Sequence, residues 1–336
     1  MATVINATTS ATEGNDLSPE MKIYYEKRLL QWAEPNLVYN QFADKYAIPK
    51  NEGKTIQMRR YSTLPTLSDP LVEGVTPDGQ ALDVEALTAV VKQYGGWVQI
   101  SDLLKLTAID NNLVQASKLL GAQAGRTKDA LTRDVLCAGT HAIYAPTRSG
   151  TTPTESDDRT DMDMTSKLDV DLIFRAAAEL EANNADPFDD GSYVAIIHPY
   201  AAYDLMRSDE WIDSHKYAKP ENIYRGEIGK VGNVRFVQST QAKIWKSTDD
   251  DCPVDGSSNA LGVFATMVLG AHAYGATEIS GGGLEMIVKQ LGYGDDPLNQ
   301  RASAGWKMTH VAKILNDQYM VRIESLSAYS AKVAAN

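Results

Sequence analysis

The chain has 336 residues, 43% hydrophobic and 23% charged, which excludes wholesale disorder and supplies enough apolar mass for a sizeable core in two compact regions. With 32 Lys and Arg against 44 Asp and Glu, its net charge of -12 has the wrong sign for gripping nucleic acid by overall field. Only Cys137 and Cys252 occur, so a disulfide framework and a cysteine metal cluster are excluded, and no run approaches the about 18 apolar residues of a membrane helix.

Residues 1–17 are rich in Ala, Thr, Ser and Asn and read as an extended arm, with no basic region followed by an apolar one to mark a secretory signal. Ser18 then caps a helix that has Pro19 in its first turn, Tyr25, Leu29 and Trp32 on its apolar side, and Pro35 as its stop. A short apolar segment from Leu37 to Tyr46 leads to Pro49.

From Gly53 to Ser101 the pattern changes to alternation. Thr55, Gln57, Arg59 and Tyr61 alternate with Ile56, Met58 and Arg60, and a return leg alternates around Leu82, Val84, Leu87, Ala89 and Val91. Pro65, Pro70, Gly74, Pro77 and Gly79 lie between, so the span is expected to be a long hairpin with a turn-rich tip. A two-stranded ribbon is marginal in water and leaves open edges, so one this long needs a surface to lie against. Another subunit is the expected cover, with Leu67, Leu71 and Val75 at the tip as candidate interface residues. The alternative is a hairpin folded back onto its own domain.

The next stretch, Asp110 to Ala138, carries Leu113, Ala116, Leu120, Ala124, Leu131, Val135 and Ala138 at helical spacing, continuing Leu106 and Ile109. At about 1.5 Å per residue it forms a strut of roughly 40 Å. Its stripe is thin: Gly121 and Gly125 each cost about 1 kcal/mol against Ala, and charged residues fill the other faces. Lys128 is therefore expected on an exposed face, where its loss changes stability by no more than about 0.5 kcal/mol.

A loop follows with seven acidic and two basic residues between Glu155 and Asp171, and then a helix over Asp169–Ala182. A second region opens with a strand at Tyr193–His198 and a helix at Tyr200–Arg207. Strands are expected at Asn233–Gln238, Leu261–Leu269 and Leu284–Gln290. Two C-terminal β runs, around Trp306–Ile314 and Tyr319–Ile323, are expected to turn at Asn316 and Asp317. The class is α+β.

Three strings resemble catalytic motifs. Tyr293-Gly294-Asp295-Asp296 imitates a polymerase metal turn, but Pro297 stops the strand such a turn requires. Asp161-Met162-Asp163-Met164-Thr165 has a phosphatase-like spacing, but a polar run and not a buried strand precedes it. Gly226, Gly229 and Gly232 lack the helix and the Lys-Ser/Thr pair of a phosphate loop. His141, His198, His215, His272 and His310 are scattered without metal spacing. No catalytic residue, metal ligand or cofactor is assigned. The enzyme alternative is a metal-dependent phosphotransferase built on the Asp clusters, with Asp157, Asp158, Asp161 and Asp163 as loose calcium candidates.

Five segments carry a family likeness: YGGWVQISDLL at Tyr94–Leu104, RTKDALTRDVL at Arg126–Leu136, AIIHPYAAYDLM at Ala195–Met206, GEIGKVGNVRFVQST at Gly226–Thr240, and DPLNQRASAGWK at Asp296–Lys307. In this order the sequence resembles the podophage major capsid proteins, whose fold is shared by tailed-phage and herpesvirus shells. The resemblance implies an N-terminal arm with first helices (1–52), an extended β-hairpin loop (53–101) and a peripheral domain (102–190) with a spine helix (110–138). An axial domain (191–291) and C-terminal strands of the peripheral domain (292–336) complete it. It implies a structural subunit that assembles with itself into pentamers and hexamers enclosing double-stranded DNA without reading its sequence. A separate scaffolding protein, a portal and a decoration protein are the implied partners; no membrane is involved, and the expected location is the virion after assembly in the host cytoplasm. The cross-linking trio of some relatives has no match here.

Overall fold

The computed structural model describes residues 33, 37–48, 54–61, 64, 66–68, 70, 74, 76, 79–103, 112–149, 152–208, 210–212, 227–247, 250–255, 259–278, 283–292 and 296–336. The arm, the helix read from Ser18, and the capping Asp110 lie outside them.

In chain order the elements are β1 (Asp44–Tyr46), β2 (Thr55–Tyr61), β3 (Val84–Val90), β4 (Lys92–Ser101), the long helix α1 (Asn112–Leu136), β5 (Ala142–Tyr144), and the small hairpin β6 (Thr147–Ser149) with β7 (Thr152–Thr154). Then come α2 (Val170–Ala182), β8 (Tyr193–Ile197), α3 (Pro199–Met206), β9 (Glu227–Val231), β10 (Val234–Gln238), β11 (Ile244–Trp245) and β12 (Val263–Leu269). The last are β13 (Tyr274–Thr277), β14 (Leu284–Lys289), β15 (Arg301–His310), β16 (Ala312–Ile314) and β17 (Met320–Ser325).

The centre is a mixed sheet in the order β5-β17-β12-β8-β10-β9, with β11 on the side of β12. Every residue of β8 and β12 is buried, because both faces of this sheet are covered; hence β8 reads as an unbroken apolar run and β12 as one interrupted only by Thr266. Tyr193, Ala195 and Ile197 face the core beneath α2 and α3, where Leu172, Ile173, Leu180 and Leu205 pack. Val194 and Ile196 face the opposite way, toward Leu136, Tyr39, Phe42 and Tyr274. Each such side chain contributes about 1.5–3 kcal/mol on burial. Asp169 caps α2 by accepting from the Val170 amide, and His198 caps α3 ahead of Pro199.

The long helix spans 25 residues, about 37 Å at the usual rise. Its middle, through Leu120 and Ala124, lies on Met286, Val288, Ala304, Trp306 and Met308 of the three-stranded sheet β14-β15-β4. Its C-terminal end reaches the central sheet through Leu136. There the Arg322 guanidinium donates to the Cys137 carbonyl at 2.6 Å and the Gly139 carbonyl at 2.7 Å, placing a cation on the negative pole of the helix.

Four sequence expectations are corrected. The hairpin ladder pairs Thr55–Tyr61 with Val84–Val90 and ends there; Lys92–Ser101 instead pairs along its whole length with Arg301–His310, and so belongs to the sheet under the long helix. The foot of the ribbon is part of the protein's own core, since Ile56 and Met58 are buried against Leu315 with Tyr46 alongside. Asn316 and Asp317 do not close a hairpin: Asn316 caps a single 3-10 turn, and the flanking strands diverge, β16 to the sheet β1-β13-β16 and β17 between β5 and β12. On the long helix, Ala138 is exposed beyond the last turn, whereas Leu136, Lys128, Asp129, Thr132 and Arg133 are buried. The thin apolar stripe understated this burial because the second buried face is polar.

Candidate functional site

The motif residues serve local structure. Asp158 accepts from the Thr160 amide at 2.7 Å, and Asp163 does the same for the Thr165 amide at 2.7 Å, so both close turns of the acidic loop. The Thr160 hydroxyl holds the Asp158 carboxyl below its usual range. Arg159 of that loop turns inward, donating to both carboxylate oxygens of the fully buried Glu324 and lying 3.9 Å over the Trp245 ring. Among the described residues no three His, Cys, Asp or Glu side chains are grouped to hold a metal. Tyr293, Gly294, Asp295, Gly226 and His215 lie outside the described residues. Asp296 is buried and accepts from the Arg301 amide at 2.8 Å. Gly232 sits at φ +60° in the β9–β10 turn beneath Phe174, a conformation that favours glycine. His198 accepts from the Tyr200 amide at 3.2 Å, and burial pushes its pKa down to about 4. The phosphotransferase alternative finds no support in these positions.

One turn of the long helix forms a buried polar junction. The Lys128 ammonium donates to the Thr277 carbonyl at 2.6 Å, and burial lowers its pKa to about 7. Asp129 accepts from the Tyr39 amide at 2.7 Å, and burial raises its pKa to about 7. Thr132 spends its hydroxyl proton on the Lys128 carbonyl at 3.1 Å, so His310 Nε2, 3.1 Å away, carries the hydrogen and donates to Thr132. Nδ1 then accepts from the Thr277 hydroxyl at 3.0 Å. Burial, with Lys128 nearby, takes the His310 pKa down to about 3. Arg133 completes the turn by donating to the Gln241 carbonyl at 2.7 Å. These groups join β13, β15, the segment before β1 and the loop after β10 to one helix. Thr132 is fully buried and His310 nearly so, which leaves no room for a substrate; the junction is a mechanical one.

The outer surface differs. Leu67 is 78% exposed, with Leu64 and Leu82 also exposed near the tip of the ribbon; Leu71 and Val75 lie outside the described residues. Sequence reasoning missed an exposed aromatic away from the ribbon, Trp97, 68% exposed on β4. Its place next to two glycines within an alternating run is the signal that was present.

A long helix on a β sheet, a central sheet covered on both faces and a projecting ribbon are the parts of a shell subunit, and the sequence agrees: residues 84–323 match the family model for the phage capsid protein. The chain belongs to the phage capsid protein family. This capsid protein has the tailed-phage major capsid fold. The capsid of Ralstonia phage GP4 superimposes with a TM-score of 0.62 at 13% identity, covering 97% of this chain and 98% of that one. The capsid of cyanophage Pam1 gives 0.59 at 14% identity, covering 98% and 99%. The capsid of cyanophage P-SCSP1u gives 0.57 at 15% identity, covering 98% and 93%. No curated protein matches the sequence. The capsid protein is a structural subunit of a phage shell. Among its described residues no helix is long and apolar enough to cross a membrane.

Proposed function

We propose that the capsid protein assembles with itself into pentamers and hexamers that close into an icosahedral shell around double-stranded DNA. Assembly takes place in the host cytoplasm, with a scaffolding protein, a portal and a decoration protein as separate partners. The protein has no enzymatic activity and needs no cofactor. The observation that carries the reading is the end-to-end likeness of fold to phage capsids, joined to the family match over 84–323. The charge of -12 supports it too, since a container wall that repels phosphates leaves packaged DNA unbound.

In this reading the long helix with β4, β14 and β15 is the peripheral unit. The central sheet with α2 and α3 is the axial unit, which meets its copies around the symmetry axes. The bounds of the two units depart from those read from the sequence: β4 is taken from the 53–101 loop and β14 from the 191–291 axial span, and β5, α2 and β17 join the axial unit from outside that span. The chain crosses between them several times, β14 returning to the peripheral sheet and β17 to the central one. The ribbon reaches a neighbouring subunit, with Leu67, Leu71 and Val75 in the contact. Negative-stain microscopy and sedimentation of the purified protein test the whole: closed particles or capsomers are expected. A 36.7 kDa monomer at every concentration, or a magnesium-dependent activity lost on changing Asp161 and Asp163 to Asn, would overturn it.

A further inference from the structure

An open cleft of about 350 Å³ lies where β6, the stretch leading into α2 and the end of α3 meet. It has the size of a small-ligand site. Its lining carries three cations, Arg148, Lys167 and Arg207, against two carboxylates, Asp169 and Asp204. Both carboxylates are already engaged. Asp169 accepts from the Val170 amide at 2.7 Å and from the Arg148 guanidinium, and Asp204 accepts from the Ala328 amide at 3.0 Å. The hydroxyls of the lining are spent too, Thr165 donating to Asp163 and Ser208 to the Leu205 carbonyl at 2.8 Å. The groups left to meet a ligand are cationic, on a chain of net charge -12.

Two of the cations are oriented by the fold itself. Arg148 is fixed at both ends, its amide donating to the Thr165 hydroxyl at 2.8 Å and its guanidinium to Asp169. Arg207 lies 5.4 Å over the Tyr203 ring and donates to the Tyr203 hydroxyl at 3.2 Å. Tyr203 packs edge-on against Tyr329, which stacks on Tyr200 with 4.6 Å between ring centroids, so this arginine rests on a rigid aromatic base. A guanidinium has more donors than these bonds use. The Lys167 backbone bridges Leu326 just past the end of β17, and its exposed side chain has no ion pair among the described residues.

We propose that this cleft binds a phosphate group, with the Arg148 and Arg207 forks on its oxygens and the Lys167 ammonium as the third charge. Cations brought by three separate elements suit a tetrahedral anion better than a flat carboxylate. The site is built from one subunit's own side chains and does not depend on the shell reading. The group can come from the backbone of enclosed DNA or from the free ion. Either way the cleft is a local exception on a wall that otherwise repels phosphates.

Thermal unfolding of the purified full chain in sodium phosphate, sodium chloride and sodium acetate, at one pH and one ionic strength so that screening is equal, tests the site. Phosphate alone is expected to raise the unfolding temperature, both in the natural chain and in Lys118→Gln, which removes an exposed lysine of the long helix. Lys167→Gln combined with Arg207→Gln is expected to lose that rise, the phosphate affinity read from its concentration dependence falling by about tenfold or more. No rise, an equal rise in acetate, or a rise that survives the double change overturns the proposal. If the double variant does not fold, Lys167→Gln alone decides, because that side chain has no ion pair to break among the described residues. Anisotropy of a short fluorescent DNA duplex then separates the two sources. Duplex binding that inorganic phosphate competes away and the double change weakens assigns the group to DNA. A phosphate shift with no duplex binding, or with duplex binding that the double change leaves intact, assigns it to the free ion.

Discussion

The ammonium of Lys128 on the long helix donates to the backbone carbonyl of Thr277 on β13 at 2.6 Å, with the lysine 3% exposed. This bond ties the strut to the three-stranded sheet β1-β13-β16 at the point where the ribbon is rooted. Lys128→Met keeps the apolar stem and removes the donor, leaving a buried carbonyl without it. The expected loss is about 1–3 kcal/mol in urea unfolding of the soluble subunit. A change within about 0.5 kcal/mol would return Lys128 to the exposed face that helical periodicity suggested.

The junction also sets a pH dependence. Asp129 has a folded pKa of about 7, above its ordinary 3.8. The folded chain therefore binds more protons between these values, and stability present below 3.8 is lost as pH rises through about 7. Asp129→Asn keeps a side-chain acceptor for the Tyr39 amide and removes this slope, which thermal unfolding at pH 5, 6 and 7 measures. An identical slope in the variant would show that Asp129 does not titrate in this window.

His310 acts in the opposite sense. Its folded pKa of about 3 lies below the ordinary 6.5, so the stability it contributes is present above 6.5 and lost as pH falls toward about 3. His310→Asn is expected to flatten the acid limb of the stability profile between pH 6.5 and 4. An unchanged limb would mean that other groups carry it.

Leu119 and Leu120 are neighbours in sequence and opposites in environment, one 69% exposed and the other 3%. Leu120→Ala should cost about 2–5 kcal/mol through the cavity left against Met286 and Trp306, and Leu119→Ala no more than about 0.5. Equal effects in chemical denaturation would mean that the helix is not seated on this sheet.

Joining Tyr61 to Leu82 through Asn-Gly removes the tip and spares Ile56 and Met58, which are buried in the subunit itself. The shortened chain is expected to unfold at nearly the same temperature as the full one and to form no closed particles by microscopy. Failure to fold as a soluble subunit would show the tip to be a folding element instead.

Much of this was legible in the residues alone. Apolar spacing marked the long helix, alternation marked Thr55–Tyr61, mainly apolar runs marked the buried strands at Tyr193–Ile197 and Val263–Leu269, and five ordered segments carried the family. All are local properties, because periodicity records which faces of an element meet apolar surroundings. Periodicity does not say who supplies the backbone partners. Lys92–Ser101 alternates as well as the ribbon before it, yet its ladder comes from Arg301–His310, some two hundred residues on. Nor does it mark Lys128, Asp129 and Thr132 as interior, since a polar group is buried only where distant groups such as Thr277, Tyr39 and His310 arrive to satisfy it. Local chemistry in the sequence thus determined the elements and the family, while the tertiary structure alone decided which strands share a sheet and which charges lie inside.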